Sequence, residues 1–229
     1  VDEKRVGIAG FCVGASLSVV AAANPEIRDN VKFINFFGGY FDAKDLMISI
    51  ASQTRYGTYG EQTWEPSQQT LKTFREHLIS SLESENDRSL LSTINISENN
   101  KSMNESDLLT DDGLTVYKLL TNPSLNEAGY LINELPDNFQ KGLETISPIN
   151  HMNTIKGKLL IMHDASDNNV PVEESRRFYE AAKHRNDVLY TEFAFFNHVD
   201  LGRDVNLFTW ITDVYKLYVH LYHIIRVAT

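Results

Sequence analysis

A short turn between a strand pattern and a helix pattern constrains the fold of this chain more than any other feature. Val6-Gly7-Ile8-Ala9 is a short apolar run typical of a buried strand, and Ala15 to Ala23 is a run of small residues typical of a helix. Between them lies Gly10-Phe11-Cys12-Val13-Gly14. This order matches the turn G-x-S-x-G, here with Cys in place of Ser, in which a strained backbone position lifts a nucleophile clear of a sheet.

Two glycines flank the cysteine of this turn. Gly10 and Gly14 stand two residues before and two residues after Cys12. A strand and a helix approach closely there, so we expect both positions to be nearly free of side chain, and Ala15 and Ser16 continue the small surface. Most free cysteines are small buried hydrophobes, but a position between two such glycines favours a nucleophile.

Two later strand patterns lead into residues suited to a catalytic acid and a catalytic base. The apolar run from Lys158 to His163 predicts a buried parallel strand, and a polar loop with Asp167 precedes a helix from about Val172 to Lys183. The alternating run from Val188 to Phe193 predicts another strand, which leads to His198. An acid after one strand and a histidine after the next can orient an imidazole beside a nucleophile.

Each of these partners has an alternative interpretation. Asp164 is a rival for the acid, and Asp167 could instead cap the helix that begins near Val172. His198 is one of seven histidines, and it alone falls between a late strand and the last helix. Four others lie on apolar segments, where core or helix-face positions are expected: His151, His163, His220 and His223.

Three stretches together resemble the α/β-hydrolase superfamily. They are Val1–Gly14, then His163–Pro171, which is similar to the family's H-G-x-x-D-x-x-V-P, and the loop that ends at His198. The cysteine turn looks like that of the dienelactone hydrolases, and the acid loop is similar to the esterase and oligopeptidase-like members. The resemblance implies that Cys12 is the nucleophile, Asp167 the triad acid and His198 the general base.

The chain departs from the family's pattern at two positions and at its start. Asp164 stands where the family usually has Gly, and Asn197 where a Gly often precedes the histidine. The family also places four strands before the elbow, and a loop after the third supplies one N–H of the oxyanion hole. This chain starts at the elbow strand, and the N–H of Val13 would supply the other donor. The missing strands and donor are therefore expected in another polypeptide or segment, or hydrolysis is expected to be poor.

The expected fold is α/β: a partial α/β-hydrolase sheet, mostly parallel, with helices on both faces. Residues 1–44 and 146–229 are expected to form the core of this fold. Residues 45–145 are expected to form a largely helical insertion that caps the active site, and the alternative is an ornament packed beside the sheet. Within it, Ser92 to Asp107 has the composition of a mobile loop.

A long helix is predicted from near Leu207 to Ile225. Its apolar residues at helical spacing are expected to pack in the core, and the alternative is a surface for a partner. The stripe comprises Leu207, Ile211, Val214, Leu217, Leu221, Ile224 and Ile225.

The strand from Val6 to Ala9 is expected to be an open sheet edge if the chain starts at Val1. Unpaired backbone groups on an apolar edge are a template for pairing with another chain. The expected partner is a second copy across a two-fold axis, giving a homodimer, or a separate N-terminal polypeptide.

Charge and composition exclude several other classes of partner. The 21 Lys and Arg residues against 31 Asp and Glu residues give a net charge of −10, which disfavours nucleic acid and anionic membranes. A single cysteine excludes an internal disulfide and is compatible with a reducing, cytoplasmic compartment. No metal-ligand spacing or phosphate loop competes with the turn, so neither a metal nor a cofactor is expected.

The function predicted from these residues is hydrolysis of a carboxylic ester, lactone or thioester through an acyl-enzyme. Phe11, Tyr40 and Trp64 are the candidate substrate-binding residues. Aromatic side chains of the insertion could line an apolar pocket, which favours a small or medium apolar acyl group over a charged one: Tyr56, Tyr59, Trp64, Phe74 and Phe139. The alternative is a non-catalytic binding or scaffold protein of α/β-hydrolase-like fold.

Overall fold

The computed structural model describes residues 6–57, 60–93 and 110–228. The chain divides into two compact units. Val1–Leu46 and Glu144–Thr229 form the first, here called the sheet unit, and Met47–Leu143 form the second, the insertion unit. Tyr59 and nearly all of the polar tract predicted to be a mobile loop lie outside the described residues.

Helices and parallel strands alternate along the sheet unit, so the predicted α/β class is confirmed. The strands among the described residues are β1 Val6–Phe11, β2 Val31–Phe37, β3 Thr54–Gly57, β4 Gly60–Thr63, β5 Lys158–Asp164, β6 Val188–Phe193, β7 Phe196–Asn197 and β8 Asp200–Leu201. The helices are α1 Val13–Ala22, α2 Ala43–Ser52, α3 Gln68–Ser80, α4 Glu85–Thr93, α5 Asp111–Leu120, α6 Leu125–Asn133, α7 Asp137–Ile146, α8 Val172–Ala182 and α9 Leu207–Ala228.

In the part of the chain that the structure describes, the main sheet has four parallel strands in the order β1-β2-β5-β6. Its central strands are apolar on both faces because helices cover both sides, as parallel sheets require. On one face Ile34 and Ile161 pack with α1 and α8. On the other face Phe37 and Met162 pack with Phe193 and with Leu217 of α9.

The carboxyl ends of the four strands carry the chemically interesting residues. β1 ends at Phe11, just before Cys12, and β5 ends at Asp164, just before the acid loop. β6 ends at Phe193 and leads to the β7–β8 hairpin that carries His198. Parallel strands present these ends at one edge of the sheet, which brings the three segments together.

The prediction that the apolar stripe of α9 packs in the core is wrong for most of its residues. Leu207, Ile211, Val214, Leu221 and Ile225 are exposed. The residues of α9 that are buried against the sheet are polar: Asp213 accepts hydrogen bonds from the N–H groups of Ala194 and Phe195, and His220 is bonded to Asn35 and Thr191.

Apolar residues lie on more than one face of α9, so their periodicity alone did not identify the face that packs against the sheet. No helix in the described ranges is long and apolar enough to cross a membrane.

The insertion unit is mostly helical and has a core of its own. Its core contains the fully or nearly fully buried residues Leu78, Leu91, Val116, Leu119 and Ile132. Three of its helices, α3, α5 and α6, begin at residues whose hydroxyl accepts a backbone N–H of the first turn: Ser67, Thr110 and Ser124. The β3–β4 hairpin was not predicted, because neither strand has an alternating apolar pattern. The role of this unit as a cap stays a prediction.

β1 is an edge strand of the described sheet, pairing with β2 on one side. The prediction that a second copy or a separate N-terminal polypeptide covers its other side is untested, and light scattering at micromolar concentration tests it. We expect a mass above that of one chain and protected amides from Val6 to Ala9. A monomer whose amides in this strand exchange freely would contradict the prediction.

Candidate active site

The backbone at Cys12 has the strained geometry expected of a nucleophile turn. Its φ of 53° and ψ of −133° lie outside the regions that non-glycine residues favour. The N–H of Cys12 donates to the carbonyl of Phe37 at 2.9 Å, and its own carbonyl accepts the N–H of Ala15 at 2.9 Å. These bonds hold the turn between β1 and α1, and residues kept in such conformations cluster at functional sites.

The two flanking glycines differ in what they allow. A Cβ at Gly10 would lie 2.2 Å from the carbonyl oxygen of Gly14 and 2.6 Å from the Cα of Ala15, so Gly10 must be glycine. The matching prediction for Gly14 does not hold among the described residues, because a Cβ there would meet nothing within 4 Å beyond its chain neighbours and the backbone of its own helix. The close approach of strand and helix involves the backbone carbonyl of Gly14, while a side chain at this position would have room.

Asp167 lies in the loop after β5 and combines two roles. Its Oδ1 accepts the N–H groups of Asn169 at 2.7 Å and Val170 at 3.1 Å, which fixes the loop. Its Oδ2 accepts Nδ1–H of His198 at 2.5 Å. The alternative that Asp167 caps the next helix does not hold, because that helix has Pro171 at its N-cap position without a side-chain cap.

His198 occupies the two-residue turn between β7 and β8, whose pairs are Phe196 with Leu201 and Asn197 with Asp200. Its φ of 59° is left-handed, a conformation that turns of this kind require and that histidine rarely adopts. The ring is bonded to Asp167 through Nδ1, and Cys12 lies near enough to raise the pKa of the imidazole. The structure thus brings together the three predicted residues of the triad, although it does not test their catalytic roles.

The charges of the site favour an imidazolium beside the thiol. Burial lowers the pKa of His198, but the hydrogen bond with Asp167 and the proximity of Cys12 outweigh burial and raise this pKa to about 10. Burial likewise raises the pKa of Asp167, while hydrogen bonds from His163 and His198 more than offset that and hold the pKa well below its usual range. At neutral pH the imidazole of His198 is therefore expected to be cationic.

His163, which was expected at a core or helix-face position and begins the resembling acid-loop stretch, lies beside the carboxylate of Asp167. It is fully buried, and Nε2 lies 3.0 Å from the carbonyl of Val170 and 3.3 Å from Oδ2 of Asp167. A carbonyl can only accept, so Nε2 carries a proton and donates to the carbonyl of Val170, with the carboxylate of Asp167 close by, and Nδ1 accepts from the hydroxyl of Ser175 at 2.6 Å. The spacing of four residues between His163 and Asp167 was the available signal.

Asp164, the rival for the acid, has different partners. Its carboxylate accepts the backbone N–H of His198 at 2.9 Å and both terminal nitrogens of Arg203, at 2.6 and 2.9 Å. Asp167, not Asp164, is bonded to the imidazole.

The other predicted site residues have different environments. Val13 is the first residue of α1, so its N–H has no acceptor within the helix, as an oxyanion donor requires. Phe11 is 57% exposed next to the cysteine. Tyr40 is buried, and burial, Cys12 and Glu174 together raise its pKa to about 12. Trp64 is buried and belongs to the insertion unit. Their roles in binding substrate stay predictions.

Comparisons with known proteins give one family and a set of solved structures. Residues 1–84 match the dienelactone hydrolase family. A meta-cleavage product hydrolase from Pseudomonas fluorescens is 16% identical, with a TM-score of 0.41, over 96% of this chain and 65% of that chain. A rice cell wall degrading esterase from Xanthomonas oryzae is 14% identical, with a TM-score of 0.39, over 94% of this chain and 57% of that chain.

This chain therefore spans less than two thirds of the length of each of these solved proteins. No curated protein matches it. The family match covers the first of the three resembling stretches, and the acid loop and His198 lie beyond it. The segment that carries the Cys12 turn is therefore dienelactone hydrolase-like, within an α/β fold built on a parallel sheet.

Proposed function

We propose that the protein hydrolyses carboxylic esters, lactones or thioesters with Cys12 as nucleophile. The observation that carries this proposal is the bond from Asp167 to His198, together with a histidine near enough to Cys12 to be affected by it and a φ of 53° at that cysteine. A nucleophile, a base within hydrogen-bond reach and a third group that orients the base are the parts that covalent catalysis needs. The dienelactone hydrolase match over residues 1–84 supports the same class of reaction.

The proposed reaction has two halves. The Cys12 thiolate attacks the carbonyl carbon, the N–H of Val13 donates to the developing oxyanion, and the His198 imidazolium gives its proton to the leaving alcohol or thiol. His198, now neutral, takes a proton from water, and the hydroxide attacks the thioester. Collapse of this second intermediate releases the acid and the thiolate, and the proton on His198 restores the ion pair. Asp167 keeps Nδ1 protonated throughout, so Nε2 serves the reaction.

The substrate that we propose has a small or medium apolar acyl group. Phe11 presents a half-exposed ring beside Cys12, and such a ring can pack against an apolar chain. The protein's net charge of −10 disfavours a substrate whose acyl group is negatively charged.

Turnover of p-nitrophenyl esters tests the proposal. We expect p-nitrophenyl acetate and butyrate to be hydrolysed, a succinyl ester to be hydrolysed more slowly, and intact mass spectrometry to detect an acyl group on Cys12. The Cys12→Ala protein gives the background rate from the rest of the surface. Equal rates for the two proteins would favour the alternative, a non-catalytic binding or scaffold protein.

A further inference from the structure

A buried ion pair lies directly behind the histidine of the site. Asp164, the last residue of β5, is fully buried, and Arg203 follows β8 with its side chain about a quarter exposed, at 27%. Nη1 and Nη2 of Arg203 donate to Oδ1 and Oδ2 of Asp164 at 2.6 and 2.9 Å. Paired parallel bonds of this kind fix geometry as well as charge.

The same carboxylate connects the loops that carry the acid and the histidine. Its Oδ1 accepts the N–H of Ser166 at 3.0 Å, two residues after Asp164 and one before Asp167. Its Oδ2 accepts the N–H of His198 at 2.9 Å. The guanidinium of Arg203 also donates to the carbonyl of Ser166 at 3.2 Å. The backbone N–H of Arg203 donates to the carbonyl of Phe195, and this bond fixes the backbone of Arg203.

The backbone of His198 needs such a connection. A left-handed φ of 59° is unfavourable for histidine, and it persists where the surroundings over-determine it. The N–H that Asp164 accepts belongs to this residue, so the ion pair holds the strained peptide unit from which the ring projects. Asp164 is also one of the two positions at which the chain departs from the pattern it resembles.

We propose that Asp164 and Arg203 are positioning residues that hold the His198 ring between Asp167 and Cys12. This inference rests on the proposed function of the site. Neither residue touches the ring, so both act through the backbone of His198 and through the acid loop. An error of about 1 Å in the placement of a catalytic group can lower the rate of a reaction about a hundredfold.

The test is the titration of the His198 imidazole by NMR, in the full chain, for the native protein and for Arg203→Gln. The groups that face the ring are Asp167 and Cys12, with His163 behind Asp167. With the ring released from these partners, the midpoint is expected to fall from about 10 by at least one pH unit, toward the ordinary 6.5 of histidine.

A matched control is available elsewhere in the sheet unit. Arg185 makes a similar two-bond pair with Asp187, at 2.9 Å for both bonds, and also ties the carbonyls of Ile155 and Gly157. Arg185→Gln is expected to lower the thermal midpoint without moving the titration of His198. Arg203→Lys, which keeps the charge but loses the paired geometry, is expected to recover part of the native titration.

An unchanged His198 midpoint in Arg203→Gln, with a thermal midpoint lowered as in Arg185→Gln, would overturn the proposal. Free exchange of the His198 amide in the native protein would overturn it as well, and this measurement needs no variant. A shifted midpoint in a protein that hydrolyses no ester supports the positioning role and refutes the proposed function. Ester turnover with an unshifted midpoint supports the proposed function and refutes the positioning role.

Discussion

Replacing Asp167 with asparagine is expected to lower ester turnover about 10⁴-fold while the fold is retained. Asparagine has the shape of aspartate, and its amide oxygen can still accept the N–H groups of Asn169 and Val170. In place of Oδ2 it presents an NH₂ group to Nδ1 of His198, which therefore loses its acceptor. The imidazole then takes the wrong tautomer, and the influence that most raises its pKa is lost.

This prediction is checked by the rate of p-nitrophenyl butyrate hydrolysis together with circular dichroism. Asp187→Asn is a matched control, since Asp187 pairs with Arg185 and has no bond to the triad residues. It is expected to leave turnover within a factor of about two, as for a surface ion pair. A loss of less than tenfold in Asp167→Asn would show that Asp167 does not orient the base.

Gly10→Ala is expected to destabilise the protein by about 3 kcal/mol. The added Cβ would meet the backbone of Gly14 and Ala15, which cannot move aside as the end of a flexible side chain can. Gly14→Ala is the matched control, and it is expected to stabilise the protein. It adds the same methyl group in open space within α1, where alanine is favoured over glycine by about 1 kcal/mol.

Urea unfolding midpoints of the two variants test this pair of predictions. Gly10→Ala should unfold at a lower denaturant concentration than the native chain, and Gly14→Ala at a higher one. Equal destabilisation by both changes would contradict the geometry of the elbow described above.

The sheet and the elbow were predictable because their sequence patterns are local. β6 has the predicted bounds Val188–Phe193, since it is an alternating run of residues that favour strands. The predicted triad residues could be chosen because each follows a strand of a parallel sheet, and those strands end at one edge.

Features that depend on distant partners could not be read in this way. The polar inward face of α9 depends on Asn35 and on the N–H groups after β6, which no periodicity of the helix reveals. Arg203 reads as a surface residue in a loop, and its pairing with Asp164 becomes visible only when the β7–β8 hairpin is in place. The room for a side chain at Gly14 likewise could not be predicted, because it depends on the positions of the surrounding atoms.

The route of the chain between β2 and β5 has a consequence for how this protein can change over evolution. These strands are neighbours in the sheet, although the whole insertion unit separates them in sequence. Just beyond them, the carbonyl of Phe41 accepts the N–H of Ile149, and the hydroxyl of Ser147 accepts the N–H of Ala43. The chain therefore leaves and re-enters the sheet unit at points that are already fastened to each other. The segment between these points can gain, lose or exchange residues without breaking any strand pairing of the main sheet. The insertion unit can therefore diversify in sequence while the residues of the sheet unit are conserved.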